Sequence, residues 1–273
     1  MTSSAAIPSF QTEVWDYFQQ SGRHDLPWRL AGIDGEFDPY AIMVSELMLQ
    51  QTQVQRVIPK YQEFLRRFPA LQDLAAAELG AVLTAWSGLG YNRRAKFLWQ
   101  AVQKIAQEYD GIFPQTSVEL ISLPGIGKNT AGAIQAYAFN QPVVFIETNI
   151  RSVYIHHFFT DQTDVTDADI LQIVASTVDS EHPREWYWAL MDYGSYLKKS
   201  VGNASKHSKT YTKQSAFHGS RRQIRGQVIS LLTGSSLSFD KLTFQINDER
   251  LLAVLNELEA EGLIRRTGDS YQL

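Results

Sequence analysis

The chain has 273 residues, 44% of them hydrophobic and 20% charged, with a formal net charge of −4. That balance describes an ordinary globular chain of one large or two smaller domains, and excludes a disordered or fibrous class. The chain holds no cysteine, which excludes disulfides, thiolate nucleophiles, and zinc or iron–sulfur sites ligated by its own thiolates.

The opening MTSSAAIPSF lacks the basic region and apolar stretch of a signal peptide. No apolar run approaches the ~20 residues that span a bilayer. A cytoplasmic protein with no membrane partner is expected. From there PSFQTEVWDYFQQ places Phe10, Val14, Trp15, Tyr17 and Phe18 near helical spacing. DPYAIMVSELMLQQTQVQRVIPKYQEFLRRF reads as two helices. The first is apolar nearly all round until Gln50, so it is expected at the centre of the fold. AELGAVLTAWS and RRAKFLWQAVQKIAQEYDG continue the helical pattern, the latter stopping at Gly111. No alternating strand pattern interrupts the chain up to about residue 199, so the body is expected to be all-α.

Residues 200–219, VGNASKHSKTYTKQSAFHGS, are polar, basic and poor in aliphatics, and read as a linker. RRQIRGQVISLL, FDKLTFQI and DERLLAVLNELEAEGL then form three helices, and LIRR-TGD-SYQL two short strands around a turn. That order is the order of a winged-helix module over 220–273. The net acidity argues mildly against a nucleic-acid partner, but binding follows the local field. From Tyr193 to Gly226 the chain carries Lys198, Lys199, Lys206, Lys209, Lys213, Arg221, Arg222 and Arg225 with no Asp or Glu.

Two features carry chemistry. In LPGIGKNTAGAIQAYAF, residues 123–139, a helix must end before Pro124. Gly125 and Gly127 permit a sharp turn, and a new helix starts near Lys128. Successive N–H groups at such a helix start suit a phosphate. An ordinary αα-hairpin with a glycine-rich turn fits the same letters. The second feature is a pair of carboxylates in apolar company, Glu46 in AIMVSELMLQ and Glu147 in VVFIETNI. Singly, Glu46 fits a half-exposed helix position or an arginine's partner, and Glu147 fits the first turn of a helix. Together they fit glycosidic-bond cleavage, in which one carboxyl donates a proton and the other stabilises or captures the sugar cation.

DPYAIMVSELMLQQTQVQRVIPKY, WSGLGYNRRAKFL, LPGIGKNTAGAI and the E-T-N segment resemble, in order and spacing, the helix-hairpin-helix (endonuclease III-like) DNA glycosylases. Within them the likeness is strongest to the adenine-releasing MutY branch, over about residues 8–200. The resemblance implies a two-lobed glycosylase domain over 8–199. A six-helix lobe with the hairpin would cover about 30–140, and 8–29 with 141–199 would form the second lobe. Residues 200–219 would be a basic linker. Glu46 would protonate N7 of a flipped adenine, Glu147 would stand where the family has its catalytic Asp, and Asn149 would support it. Gln50, Gln51 and Thr52 would form the wedge entering the base stack, and Tyr91 would intercalate beside the opposing base. Trp28 and Arg29 would line the adenine pocket and its surround. Gly125, Gly127, Lys128 and Asn129 would form the DNA-facing hairpin, and Asp192, Lys198 and Lys199 would also face DNA. A monovalent cation at turn carbonyls near Leu123 and Gly125 belongs to the same pattern. Bifunctional relatives carry a Schiff-base Lys at the position of Asn129, and an amide cannot form that imine. A monofunctional enzyme with little strand cleavage is expected, acting as a monomer on double-stranded DNA with a mispaired or damaged base.

Three departures temper the likeness. Glu147-Thr148 replaces the family's Asp-Gly, and a methylene moves the carboxylate on a scale to which rates are sensitive. The four-Cys cluster that follows MDYGSYL in the family is missing, so no cofactor is expected. The basic segment 198–225 stands in its place. The NUDIX-like domain that recognises 8-oxoguanine is replaced by the winged-helix-like module, whose third helix is acidic. The expected substrate is adenine opposite guanine or 8-oxoguanine. The alternatives are thymine or uracil opposite guanine, another damaged base, or a catalytically impaired damage-binding protein.

Overall fold

The structure, a computed structural model, describes residues 6–213 and 216–273. The first five residues, and Gln214 and Ser215 of the expected linker, lie outside the described residues. In chain order the helices are α1 (Ala6–Ser21), α2 (Pro39–Leu49), α3 (Val54–Arg67), α4 (Leu71–Ala75), α5 (Leu79–Trp86), α6 (Arg93–Glu108) and α7 (Ser117–Ile121). There follow α8 (Lys128–Phe139), α9 (Thr148–Phe158), α10 (Asp167–Thr177), α11 (Pro183–Ser200), α12 (Arg221–Leu232), α13 (Phe239–Ile246) and α14 (Leu251–Ala260). Three short strands, β1 (Leu237–Ser238), β2 (Arg265–Thr267) and β3 (Ser270–Gln272), complete the chain.

The local causes are those the letters suggest. α6 buries Ala95, Leu98, Ala101, Val102 and Ile105, one stripe at helical spacing. It stops where Gly111 takes φ 76° and its N–H returns to the Ile105 carbonyl. α10 opens on a reciprocal cap in which the Thr166 hydroxyl accepts from the Asp169 N–H and the Asp169 carboxylate accepts from the Thr166 N–H.

The chain groups into two compact units. One comprises the chain to Ile42, Gln115–Ile121 and Ile126–Lys213; the other comprises Met43–Pro114, Ser122–Gly125 and the described residues from 216 on. This is a different grouping from the boundaries read in the sequence, because residues 126–140 go with the first unit and the C-terminal module with residues 43–114.

In the first unit α11 is central, and α1, α8 and α9 pack on it. Trp186, Tyr187 and Tyr154 are fully buried, and Phe10 meets Trp186 edge to face at 5.9 Å between ring centres. The segment after α11 is not the solvated linker that its composition suggests. Residues 204–207 form a 3-10 turn against α9, and Val165 and Ser208 are bridged by hydrogen bonds from the Val165 N–H to the His207 carbonyl and from the Lys209 N–H to the Val165 carbonyl, each 3.0 Å.

In the second unit α3–α6 enclose Phe64, Leu74, Trp86 and Leu98. The C-terminal module adds α12–α14 and an antiparallel sheet of order β1-β3-β2, with Tyr271 opposite both Leu237 and Arg266. β1 precedes the second helix of the module, a strand the sequence reading did not separate. The acidic end of α14 faces arginines of its own unit. Glu257 pairs with Arg221 at 2.9 Å, and Glu261 pairs with Arg93 at 2.6 Å and Arg225 at 2.5 Å. Burial pushes the Glu261 carboxyl up, but hydrogen bonds from the two guanidinium groups outweigh it and leave it below the ordinary range.

Candidate active site

Glu147 ends the extended run in which Phe145 and Ile146 are buried. It is the N-cap of α9, and its carboxylate accepts the Asn149 N–H at 2.7 Å. The Asn149 side-chain oxygen accepts from Lys198 Nζ, also at 2.7 Å. Burial pushes the Glu147 carboxyl above the ordinary glutamate range; the Asn149 N–H, the Lys198 ammonium, the Thr148 N–H and Arg151 pull the other way without restoring it. The same burial holds Lys198 below its ordinary value, partly offset by Glu147. Glu147, Asn149 and Lys198 therefore form one hydrogen-bonded, partly buried group. Lys198, expected to face DNA, is turned onto Asn149, whereas Lys199 is exposed. The start of α9 lies so close to α11 that a Cβ on Gly194 would stand 2.5 Å from the Asn149 carbonyl oxygen. That contact is a reason for glycine in MDYGSYL.

The residue after Glu147 is tied to the segment beyond α11. The Ser205 hydroxyl donates to the Thr148 carbonyl at 3.1 Å, and the Ser205 N–H donates to the Asn203 side chain at 3.1 Å. Hydroxyls and amides close this corner. The donor set does not fit a thiolate-ligated cluster, and among the described residues no group of three or more His, Cys, Asp or Glu is placed to hold a metal ion.

Asp192 is a correction to its expected exposure to DNA. It is buried and accepts from Arg29 Nη1 at 2.8 Å, Arg29 Nη2 at 2.9 Å and Arg23 Nε at 2.7 Å. Two guanidinium groups are what allow a carboxylate there, since an unpaired buried charge is costly. Arg29 is 7% exposed and lies 5.3 Å from the Trp188 ring centre. Trp28 beside it is buried. Arg29 and Asp192 thus act as a brace between the 3-10 turn Pro27–Arg29 and α11.

In the second unit Glu46 sits on α2. Ile42–Ser45 and Leu47–Met48 around it are buried, while Glu46 keeps partial solvent access. This is the half-exposed helix position that the sequence allowed. After α2 the chain turns through Gln50, Gln51 and Thr52. Gln51 is exposed with φ 57°, and Tyr91, 39% exposed, has φ 48°. Both residues named as wedge and intercalator therefore hold left-handed backbone, which costs a residue with a Cβ about 1–2 kcal/mol.

Arg94 holds both turns, and the sequence reading missed it. It is 7% exposed. Its guanidinium donates to the carbonyls of Leu47 (2.7 Å) and Met48 (3.0 Å), to that of Gln50, to the Thr52 hydroxyl (3.1 Å) and to the Gly90 carbonyl (3.1 Å). Burial lowers its pKa to about 10, so it remains a cation at neutral pH. A signal was available: Arg94 falls on the stripe of α6 that is otherwise Leu98, Val102 and Ile105.

The LPGIG turn is anchored by buried Leu123 and Ile126, while Gly125, Gly127, Lys128 and Asn129 are exposed. Gly125 has φ 79°, and a Cβ there would come within 2.6 Å of Phe97 Cβ, so glycine is required twice over. The first amides of α8 have no partner within the helix. No helix among the described residues is long and apolar enough to cross a membrane.

The model of the HhH-GPD superfamily of base excision DNA repair proteins matches residues 44–175. The adenine DNA glycosylase of Buchnera aphidicola subsp. Baizongia pistaciae is 35% identical over 192 residues, 69% of this chain and 52% of that protein. The adenine DNA glycosylase of Mycolicibacterium smegmatis is 30% identical over 275 residues, 90% of each chain. The chain thus spans about half the length of the first relative and nine-tenths of the second. Among solved structures, a thermostable thymine-DNA glycosylase aligns with a TM-score of 0.63 at 21% identity, over 74% of this chain and 95% of that one. That likeness shows the fold. Identity sustained along nearly all of the mycobacterial relative, with the superfamily match over the central residues, establishes that the chain belongs to the adenine DNA glycosylase family of the HhH-GPD superfamily.

Proposed function

We propose that the chain is a monofunctional DNA glycosylase of base excision repair that releases adenine mispaired with guanine or 8-oxoguanine. The observation that carries this reading is the Glu147 carboxylate, fixed by the Asn149 N–H beside the Lys198–Asn149 pair. In this reading the adenine is flipped out of the duplex, and Glu46 delivers a proton to N7. The C1′–N9 bond then breaks, its electron pair leaves with the now neutral base, and the positive charge develops at the sugar. Anionic Glu147 stabilises or captures that cation until water adds at C1′ and gives up a proton, which restores the carboxylic acid of Glu46. Gln51 and Tyr91 fill the space the base has left. Asn129, an exposed amide at the start of α8, supplies no amine for a Schiff base, and strand cleavage is weak or absent. The family's cluster has no role here, because the chain offers it no thiolate. The enzyme acts as a monomer in the cytoplasm.

The test is a panel of duplexes carrying A·G, A·8-oxoG, G·T and G·U pairs, incubated with wild type and Glu46→Gln, with and without alkali. Wild type releases adenine, and strands break only after alkali. Glu46→Gln binds the mispair but slows base release at least a hundredfold, the typical worth of a positioned acid. Unchanged release by Glu46→Gln removes Glu46 as the acid. Breaks without alkali remove the monofunctional claim. Release of thymine or uracil alone reassigns the substrate.

A further inference from the structure

The C-terminal module sets an arginine on Tyr91. Arg222, in the first turn of α12, donates from Nη1 to the Tyr91 hydroxyl, and its guanidinium carbon lies 5.5 Å from the Tyr91 ring centre. Beside them is a recess of about 490 Å³ whose walls include Gln50, Gln51, Tyr91, Arg222 and Arg225. All of these belong to one compact unit. The acid in its wall, Glu261, is paired with Arg93 and Arg225, so the recess keeps a cationic balance. It combines an aromatic face, a planar fork of donors and two amides that donate and accept.

This donor set matches a purine edge with two adjacent acceptors. Guanine presents O6 and N7, and the bidentate arginine contact is the commonest specific reading of that edge. Cytosine presents an amino donor there and repels a guanidinium. We propose that Arg222 reads the base opposite the excised one, selecting guanine by the O6 and N7 acceptors of that edge. In this chain the winged-helix-like module then completes the opposite-base site by one side chain laid over Tyr91. The inference rests on the glycosylase reading above.

The experiment is equilibrium binding of the full chain, at one fixed salt concentration, to duplexes with a non-cleavable abasic analogue opposite guanine, 8-oxoguanine or cytosine. Wild type prefers guanine over cytosine, and over 8-oxoguanine, whose N7 carries a hydrogen and removes one of the two acceptors. Arg222→Ala and Arg222→Lys each reduce that preference about tenfold, within the discrimination a bidentate contact supplies. Lysine keeps the charge and the stem but lacks the fork, so a loss shared by both variants is not a folding defect. A parallel loss on all three duplexes makes Arg222 a phosphate contact and overturns the proposal. Unchanged preference in the variants, full preference in Arg222→Lys, or no preference in wild type also overturns it. The readout needs no base release. A wild type inert on every mispair removes the proposed activity, while preserved ratios in the variants remove this inference alone.

Discussion

The start of α9 and the turns at Gln51 and Tyr91 solve the same problem by opposite means. Each must hold a polar group in a fixed place at the edge of a core. At α9 the backbone is regular, and Glu147 is fixed by a helix cap and a neighbouring cation. At the two turns the backbone is strained, and a buried arginine supplies the restraint from inside. A charge that must act at a distance is placed by rigid, low-energy structure. On the proposed reading, the side chains that would enter a base stack are carried on backbone that ordinary residues avoid, which persists only where the surroundings over-determine it.

The harshest way to break that contrast is Arg94→Met. Methionine fills the volume but leaves the carbonyls of Leu47, Met48, Gln50 and Gly90 without their cation. Each buried acceptor left unsatisfied costs about 1–3 kcal/mol, so the variant should lose about 3 kcal/mol or more in urea unfolding. Mispair binding should weaken with it, as both turns loosen. A loss below about 1 kcal/mol would mean that the turns hold themselves.

Lys198→Met probes the other side. In the proposed mechanism Glu147 works as an anion, so the rate falls as pH drops through its pKa. Burial has raised that pKa, and Lys198 lowers it. Without the ammonium the pKa rises further, and the acid limb of the single-turnover pH profile should move to higher pH. Activity is then lost first on the acid side. A limb that stays in place or moves to lower pH would separate Lys198 from the carboxylate.

Gln51→Gly has the smallest expected effect. Glycine accepts φ 57° without strain, so stability should hold or rise by about 0.5 kcal/mol in the same unfolding assay, the relief of left-handed backbone less the added chain entropy. Binding to the mispair should weaken, because the side chain proposed as the wedge is gone. A clear loss of stability would show that the Gln51 side chain, rather than Arg94, supports the turn.

What the letters revealed follows the range of the interactions. Helical periodicity, the glycine stop at Gly111 and the Pro124–Gly125 turn act over a few residues, and each was legible. The two carboxylates stood out because charge in apolar company is rare, and each is half-buried. The brace of Asp192 by Arg29 joins residues 163 apart in sequence, and nothing local in MDYGSYL tells a buried carboxylate from a DNA-facing one. Lys198 was read by its charge alone; its inward turn depends on how α11 lies along α9. The anchoring of residues 204–208 was hidden by polar composition, because serine and asparagine serve a solvated loop and a hydrogen-bonded corner equally well. Arg94 was legible and overlooked, as a cation at a core position of a helix whose other stripe residues are aliphatic.

The cap on α9 has one more consequence. The oxygen that would face a sugar cation also receives the amide proton of Asn149. Proton uptake at Glu147 must therefore change the magnetic environment of that one backbone amide. A nuclear resonance two residues from the carboxylate becomes a built-in electrode for its ionisation, readable in the resting protein without DNA or turnover.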